Sequence, residues 1–118
     1  MEVNLLPKQD YYKEGQLTDL AYLVLVSLTK PSHGYLIMSK INALTDGDVS
    51  IGPASLYTIL RKLTTANFIS LISDSDNKKT YCITQEGFKA LQIEIEKRER
   101  YASYGKHALN DYEEDTDG

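Results

Sequence analysis

The segment 52–83, GPASLYTILRKLTTANFISLISDSDNKKTYCI, decides the fold, because a helix, a stop and a hairpin follow one another within it. Pro53 suits the first position of a helix, where its missing N–H would lack a partner anyway, and Gly52 is a tolerable N-cap. Leu56, Ile59, Leu60 and Leu63 recur at the i, i+3, i+4, i+7 spacing of one apolar helical stripe. The opposite face carries Ala54, Thr58, Arg61 and Thr65, flanked by Ser55, Tyr57 and Lys62. Asn67 suits the left-handed residue that ends such a helix. Phe68 to Ser73 is rich in β formers, Asp74-Ser75-Asp76-Asn77 is turn chemistry, and Lys79 to Ile83 returns as a second strand.

Upstream, LTDLAYLVLVSL (17–28) places Leu17, Leu20, Ala21, Val24 and Leu28 on one helical face, and Leu23, Leu25 and Val26 add apolar surface around it. This predicts a largely buried helix that begins near Pro7 to Asp10, with Gly15 a weak point inside it. Lys30-Pro31-Ser32 stops it, and Ser32 can cap a second helix with Tyr35, Met38, Ile41 and Leu44 at helical spacing. Asp46-Gly47-Asp48 ends that helix before a short extended piece, Val49 to Ile51. Downstream, Thr84 caps a fourth helix with Glu86 in its first turn. Phe88, Leu91 and Ile95 begin an apolar seam there, widened by Ala90 and Ile93. This helix is expected to fade near Gly105 to Asn110. Three helices, a hairpin and a long helix make an α+β, mainly helical, winged helix-turn-helix layout. Residues 1–84 form the winged unit, 85–110 a dimerisation helix, and 111–118 (DYEEDTDG) an acidic disordered tail.

The 118 residues, 42% hydrophobic and 25% charged, suit one globular domain. A single cysteine, Cys82, excludes an intramolecular disulfide framework and suits a reducing, cytoplasmic location. No apolar run approaches the roughly 20 residues of a membrane helix, and Met-Glu-Val-Asn lacks the basic start of a signal peptide. The formal charge is −4, unevenly spread: residues 1–29 and 90–118 are net acidic, and 30–89 carry seven bases against five acids. A local basic face is therefore compatible with global acidity. One Cys and two His cannot build a zinc-type cluster, and neither G-x-x-x-x-G-K-[ST] nor G-x-G-x-x-G occurs. No metal, cofactor or enzymatic activity is expected.

Four further features occur in order: His33-Gly34-Tyr35, Pro53-Ala54-Ser55-Leu56-Tyr57 with Leu60 and Leu63, Lys78-Lys79-Thr80-Tyr81, and Thr84-Gln85-Glu86-Gly87. With them, Leu17 to Leu91 resembles the PadR family of bacterial transcriptional regulators, in its smaller subgroup with a short single C-terminal helix. The resemblance implies a homodimer formed by the C- and N-terminal helices, bound to a palindromic operator. Some members of the subgroup bind drug-like aromatic ligands at the dimer interface. The chain departs from the family in three places. Gly52 stands where a Ser commonly caps the third helix, Asp74 and Asp76 lie at the wing tip, and Arg98 stands near the position of a ligand-stacking Trp.

The resulting expectation is a dimeric DNA-binding regulator, a repressor, with double-stranded DNA, a second copy and a small aromatic effector as partners and no membrane. Hydroxyls, Tyr and Arg or Lys on a helix in the major groove reach base edges and phosphates, which marks Ser55, Tyr57, Thr58, Arg61 and Lys62. Lys78 and Lys79 fit phosphate contacts from a wing. An ordinary solvated face and a solvated turn are the plainer readings of these two groups. Phe88, Leu91 and Ile95 mark the dimer seam. His33 reads as structural, and His107 carries no specific expectation. Among nine tyrosines, Tyr11, Tyr12, Tyr101 and Tyr104, together with Tyr22, could line an effector pocket or fill a dimer seam. Glu94 or Glu99 would then offset a ligand's charge. The rival reading, favoured by the net acidity, is a winged-helix protein-interaction module that does not touch DNA.

Overall fold

Helix α1 (Asp19–Ser27) is almost wholly apolar and becomes the axis around which the other elements pack. The computed structural model describes residues 12–117. After α1 come β1 (Ser32–His33), α2 (Gly34–Leu44), α3 (Pro53–Thr65), β2 (Ile69–Ser75), β3 (Lys78–Ile83) and α4 (Gln85–Asp117). Ala21, Val24, Leu25 and Leu28 meet Ile37 and Ile41 of α2 and Leu56, Ile59, Leu60 and Leu63 of α3, with Ala90 and Leu91 closing the core from α4. The expected stripe of α3 is therefore the one that is buried.

Helix α1 starts later than the sequence suggests. Gly15 takes a φ of +74°, which no helical residue adopts, and Thr18 caps the helix by accepting the Ala21 N–H (3.2 Å). Residues 12–18 are not helical, and the proposed start at Pro7 to Asp10 lies outside the described residues. Ser32 does not cap α2. It lies in β1, opposite Tyr81, and His33 occupies the N-cap position without a side-chain bond. The buried stripe of α2 is Ile37 and Ile41, one turn apart, while Tyr35 and Leu44 face outward.

The sheet order is β1-β3-β2, antiparallel throughout, so the hairpin gains a third, two-residue strand that no periodicity could reveal. Asp76 and Asn77 (φ 54° and 61°) form the turn, two left-handed residues whose twist matches that of the flanking strands. Strand β2 consequently reaches Ser75, and its register slips between Leu71 and Ser73.

Two hydrogen-bonded motifs join α3 to α4. Past the end of α3, Asn67 (φ 66°) donates its N–H to Thr64 O and Phe68 donates to Leu63 O, the paired bonds of a Schellman motif. The exposed carbonyls of that turn then receive α4. The Thr84 hydroxyl donates to Asn67 O (2.6 Å), and the Thr84 N–H donates to Phe68 O (3.0 Å). Thr84 also caps α4, accepting the Gly87 N–H (2.9 Å). Gly87 is required here, since a Cβ would fall 1.9 Å from Phe68 O.

From that junction α4 runs 33 residues, about 50 Å at 1.5 Å per residue. It does not fade at Gly105 to Asn110. One glycine costs a helix only about 1 kcal/mol, and no proline follows. Asp111 to Asp117 are accordingly helical, where the sequence places a disordered tail.

Candidate nucleic-acid interface

The side of α3 away from the core presents Ala54, Ser55, Tyr57, Thr58 and Arg61, all exposed, with Lys62 half-buried at its edge. Thr58 donates its hydroxyl proton to Ala54 O (3.1 Å), which leaves its oxygen as an acceptor. The face has two flanks. On the wing side a cleft of about 750 Å³ is lined by His33, Tyr35, Tyr57, Asp74, Asn77, Lys78, Lys79 and Tyr81. On the α1 side a shallower cleft of about 630 Å³ is lined by Tyr12, Thr18, Asp19, Ser55, Thr58 and Lys62. There the Lys62 ammonium sits over the Tyr12 ring, 5.6 Å from its centroid.

Of the seven residues expected to touch DNA, Tyr57 meets Lys78 and Lys79 across the wing cleft, and Ser55, Thr58 and Lys62 share the other. Asp74 lies opposite Lys79 on the hairpin and tempers the charge of the wing. The sequence reading missed Tyr35. Noted only for its helical spacing with Met38, Ile41 and Leu44, it is 75% exposed and lines the wing cleft. The signal was its place directly after Gly34, where a Cβ would approach the Tyr57 hydroxyl at 2.8 Å. The Tyr57 hydroxyl thus lies in the space beside the start of α2 that a side chain at position 34 would fill.

The expected dimer seam divides. Leu91 is buried in the core of its own chain, because it faces α1, and it is not available to a second copy. Phe88 and Ile95 are 55% and 38% exposed, and further along α4 Tyr101, Tyr104, Leu109 and Tyr112 are exposed as well.

The expected effector pocket does not assemble within one chain. Tyr11 lies outside the described residues. Tyr12 stands beside α3, while Tyr101 and Tyr104 meet along α4 with ring centroids 5.9 Å apart and ring planes tilted by 34°. Glu94 cannot serve a ligand. It is fully buried, accepts the Leu17 N–H (3.2 Å), and receives Arg98 Nε (2.9 Å). Arg98 also donates to Asp19 (2.8 Å) and lies over the Tyr22 ring, 4.5 Å from its centroid. Burial opposes the guanidinium charge, but the bond to Asp19 and the charge of Glu94 outweigh it and hold Arg98 above its ordinary pKa. Together with Lys97, which donates to Gly15 O, this network clamps α4 to the start of α1.

Helices α2 and α3 packed around α1, a twisted hairpin beside the exposed face of α3, and a long trailing helix define a winged helix-turn-helix protein. The sequence pattern of the PadR-like family of transcriptional regulators matches residues 23–93, and the chain belongs to that family, one of regulators rather than enzymes. Among curated protein sequences none matches significantly. A transcriptional regulator from Clostridium thermocellum superposes with a TM-score of 0.64 at 25% identity, covering 79% of this chain and 88% of that one. A PadR family transcriptional regulator from Eggerthella lenta gives 0.59 at 28% identity, covering 76% of each chain. A PadR-like regulator from Bacillus cereus shares the fold, with a TM-score of 0.55 at 22% identity over 77% of this chain and 88% of that one. No described helix is long and apolar enough to cross a membrane.

Proposed function

We propose that this regulator binds a palindromic operator in double-stranded DNA as a homodimer and represses transcription by occluding a promoter. The observation that carries the reading is the wing cleft, where Tyr35 and Tyr57 stand beside Lys78 and Lys79 on the exposed side of α3. With α3 in the major groove, Ser55, Thr58 and Arg61 address base edges while the wing lysines meet phosphates. A second copy covers the exposed Phe88 and Ile95 of α4 and sets two copies of α3 facing successive turns of the duplex, about 34 Å apart. A planar aromatic effector would meet the Tyr101–Tyr104 pair contributed by both copies.

A salt titration tests the DNA face. Each phosphate contact removed by Lys78→Ala or Lys79→Ala should flatten the slope of log K against log salt by about 0.9. Arg61→Ala should weaken binding to the promoter-proximal duplex more than to a scrambled one. If all three variants bind both duplexes as the parent does, the winged-helix interaction module replaces this reading.

A further inference from the structure

We propose that the acidic end of α4 docks on a second copy of the chain, in the groove between the C-terminal ends of α1 and α2. The proposal rests on the dimer described above and adds a second, electrostatic contact to it. The groove, about 440 Å³, is lined by Val26, Ala43 and Leu44 together with Lys30 and the half-buried Lys40, whose ammonium also donates to Ser27 O (3.5 Å). An apolar patch beside two ammonium groups suits an amphipathic helix whose apolar residue is flanked by carboxylates. The end of α4 is such a helix. Tyr112 is 70% exposed, and Glu113 and Asp115 lie to either side of it around the helix axis.

The occupant cannot come from the same chain. The Ile83 N–H donates to Leu28 O (2.8 Å), which fixes the start of α4 beside the end of α1 and therefore beside the groove. Tyr112 lies 27 residues further along α4, about 40 Å away. A second copy brings it back. Phe88, Ile95, Ala102 and Leu109 recur every seven residues, a seam suited to helix pairing. Parallel pairing would set two runs of Asp111, Glu113, Glu114 and Asp115 side by side, which their like charges oppose. Antiparallel pairing separates them and matches Phe88 with the partner's Leu109 and Ile95 with the partner's Ala102. In that register the partner's Tyr112 lies opposite Gln85, its Glu113 opposite Thr84, its Glu114 opposite Ile83 and its Asp115 opposite Cys82, which sets the acidic end at the start of α4 beside the groove. Tyr112 then covers Val26 and Leu44, while Glu113 and Asp115 meet Lys30 and Lys40.

Site-directed cross-linking in a Cys82→Ser background tests this. The pair Ala43→Cys with Tyr112→Cys reports the groove, and Phe88→Cys with Leu109→Cys reports the seam. Mild oxidation should give a dimer-sized band for both pairs. A band for the seam pair alone overturns the latch and leaves the dimer standing, the result also expected if a foreign acidic helix fills the groove. Bands for neither overturn the latch, and sedimentation as a monomer would then remove the dimer as well. Charge exchange gives an independent reading. Lys30→Glu with Lys40→Glu should weaken dimerisation roughly tenfold at low salt, and adding Glu113→Lys and Asp115→Lys should restore it. Absence of rescue in a folded quadruple variant overturns the proposal.

Discussion

Replacing Gly87 by alanine sets two effects against each other, and the structure decides between them. Gly87 lies in the first turn of α4, where alanine should favour the helix by about 1 kcal/mol. The added Cβ, however, would stand 1.9 Å from Phe68 O, against a closest ordinary carbon–oxygen contact of about 3.3 Å. The obstacle is backbone, held by the Schellman motif on one side and by the Thr84 N–H on the other, so it cannot swing aside as a side chain would. Relief requires α4 to back away by more than an ångström. That movement breaks the two Thr84 bonds to Asn67 O and Phe68 O, about 1 kcal/mol each, and adds about 1–3 kcal/mol of overpacking at Ile83. The net expectation for Gly87→Ala is a loss of about 2–4 kcal/mol, a fall in Tm of roughly 8–16 °C for a chain of this size. Urea and thermal unfolding followed by circular dichroism, at equal protein concentration because any self-association would add to stability, provide the assay. A Tm unchanged within two or three degrees, or raised, would refute the reasoning, since helix propensity alone would then govern the site.

Gly34→Ala is the instructive contrast: its Cβ meets only the mobile end of Tyr57, so the variant should fold normally yet bind DNA several-fold more weakly in fluorescence anisotropy. Ser32→Ala should leave stability unchanged or raise it by up to about 1 kcal/mol in urea titration, because the buried hydroxyl has no hydrogen-bond partner among the described residues. Glu94→Ala should cost about 3 kcal/mol or more, by stranding the Leu17 N–H and leaving Arg98 without its buried partner. Glu94→Gln, which keeps an acceptor, should recover part of that loss in the same assay.

What could be seen in advance followed the strength of local patterning. Helix α3 was legible to the residue, from Gly52 and Pro53 through the Leu56–Leu63 stripe to Asn67, because capping, periodicity and termination all agree there. The hairpin was legible for the same reason, apart from a turn narrowed to Asp76 and Asn77. The errors fall where tertiary contacts override local preference. Ser32 has the chemistry of a cap but is drawn into a strand by Tyr81, and a two-residue strand carries no period to detect. Tyr35 and Leu91 were exchanged between surface and interior, since spacing identifies an apolar face but not which neighbour covers it. At the candidate interface, the residue types on α3 and the wing were readable, whereas their division between two clefts depends on how the start of α2 and the start of α1 flank α3. Glu94 was the least foreseeable residue, because nothing in a run of glutamates marks the one that is buried.

The Asn67–Thr84 junction ties the end of α3 to the start of α4, and the Leu56–Leu63 stripe ties the rest of α3 to the core, so α3 moves only with the whole winged unit. Ser55 lies twelve residues from Asn67, about 18 Å along α3. A rotation of that unit by about ten degrees about its α4 end would carry Ser55 through about 3 Å and Lys62 far less. Three ångströms is close to the roughly 3.4 Å rise between successive nucleotides of a duplex strand. A partner that re-angled the winged unit through α4 would thus displace the tip of α3 by about one nucleotide step without repacking the core.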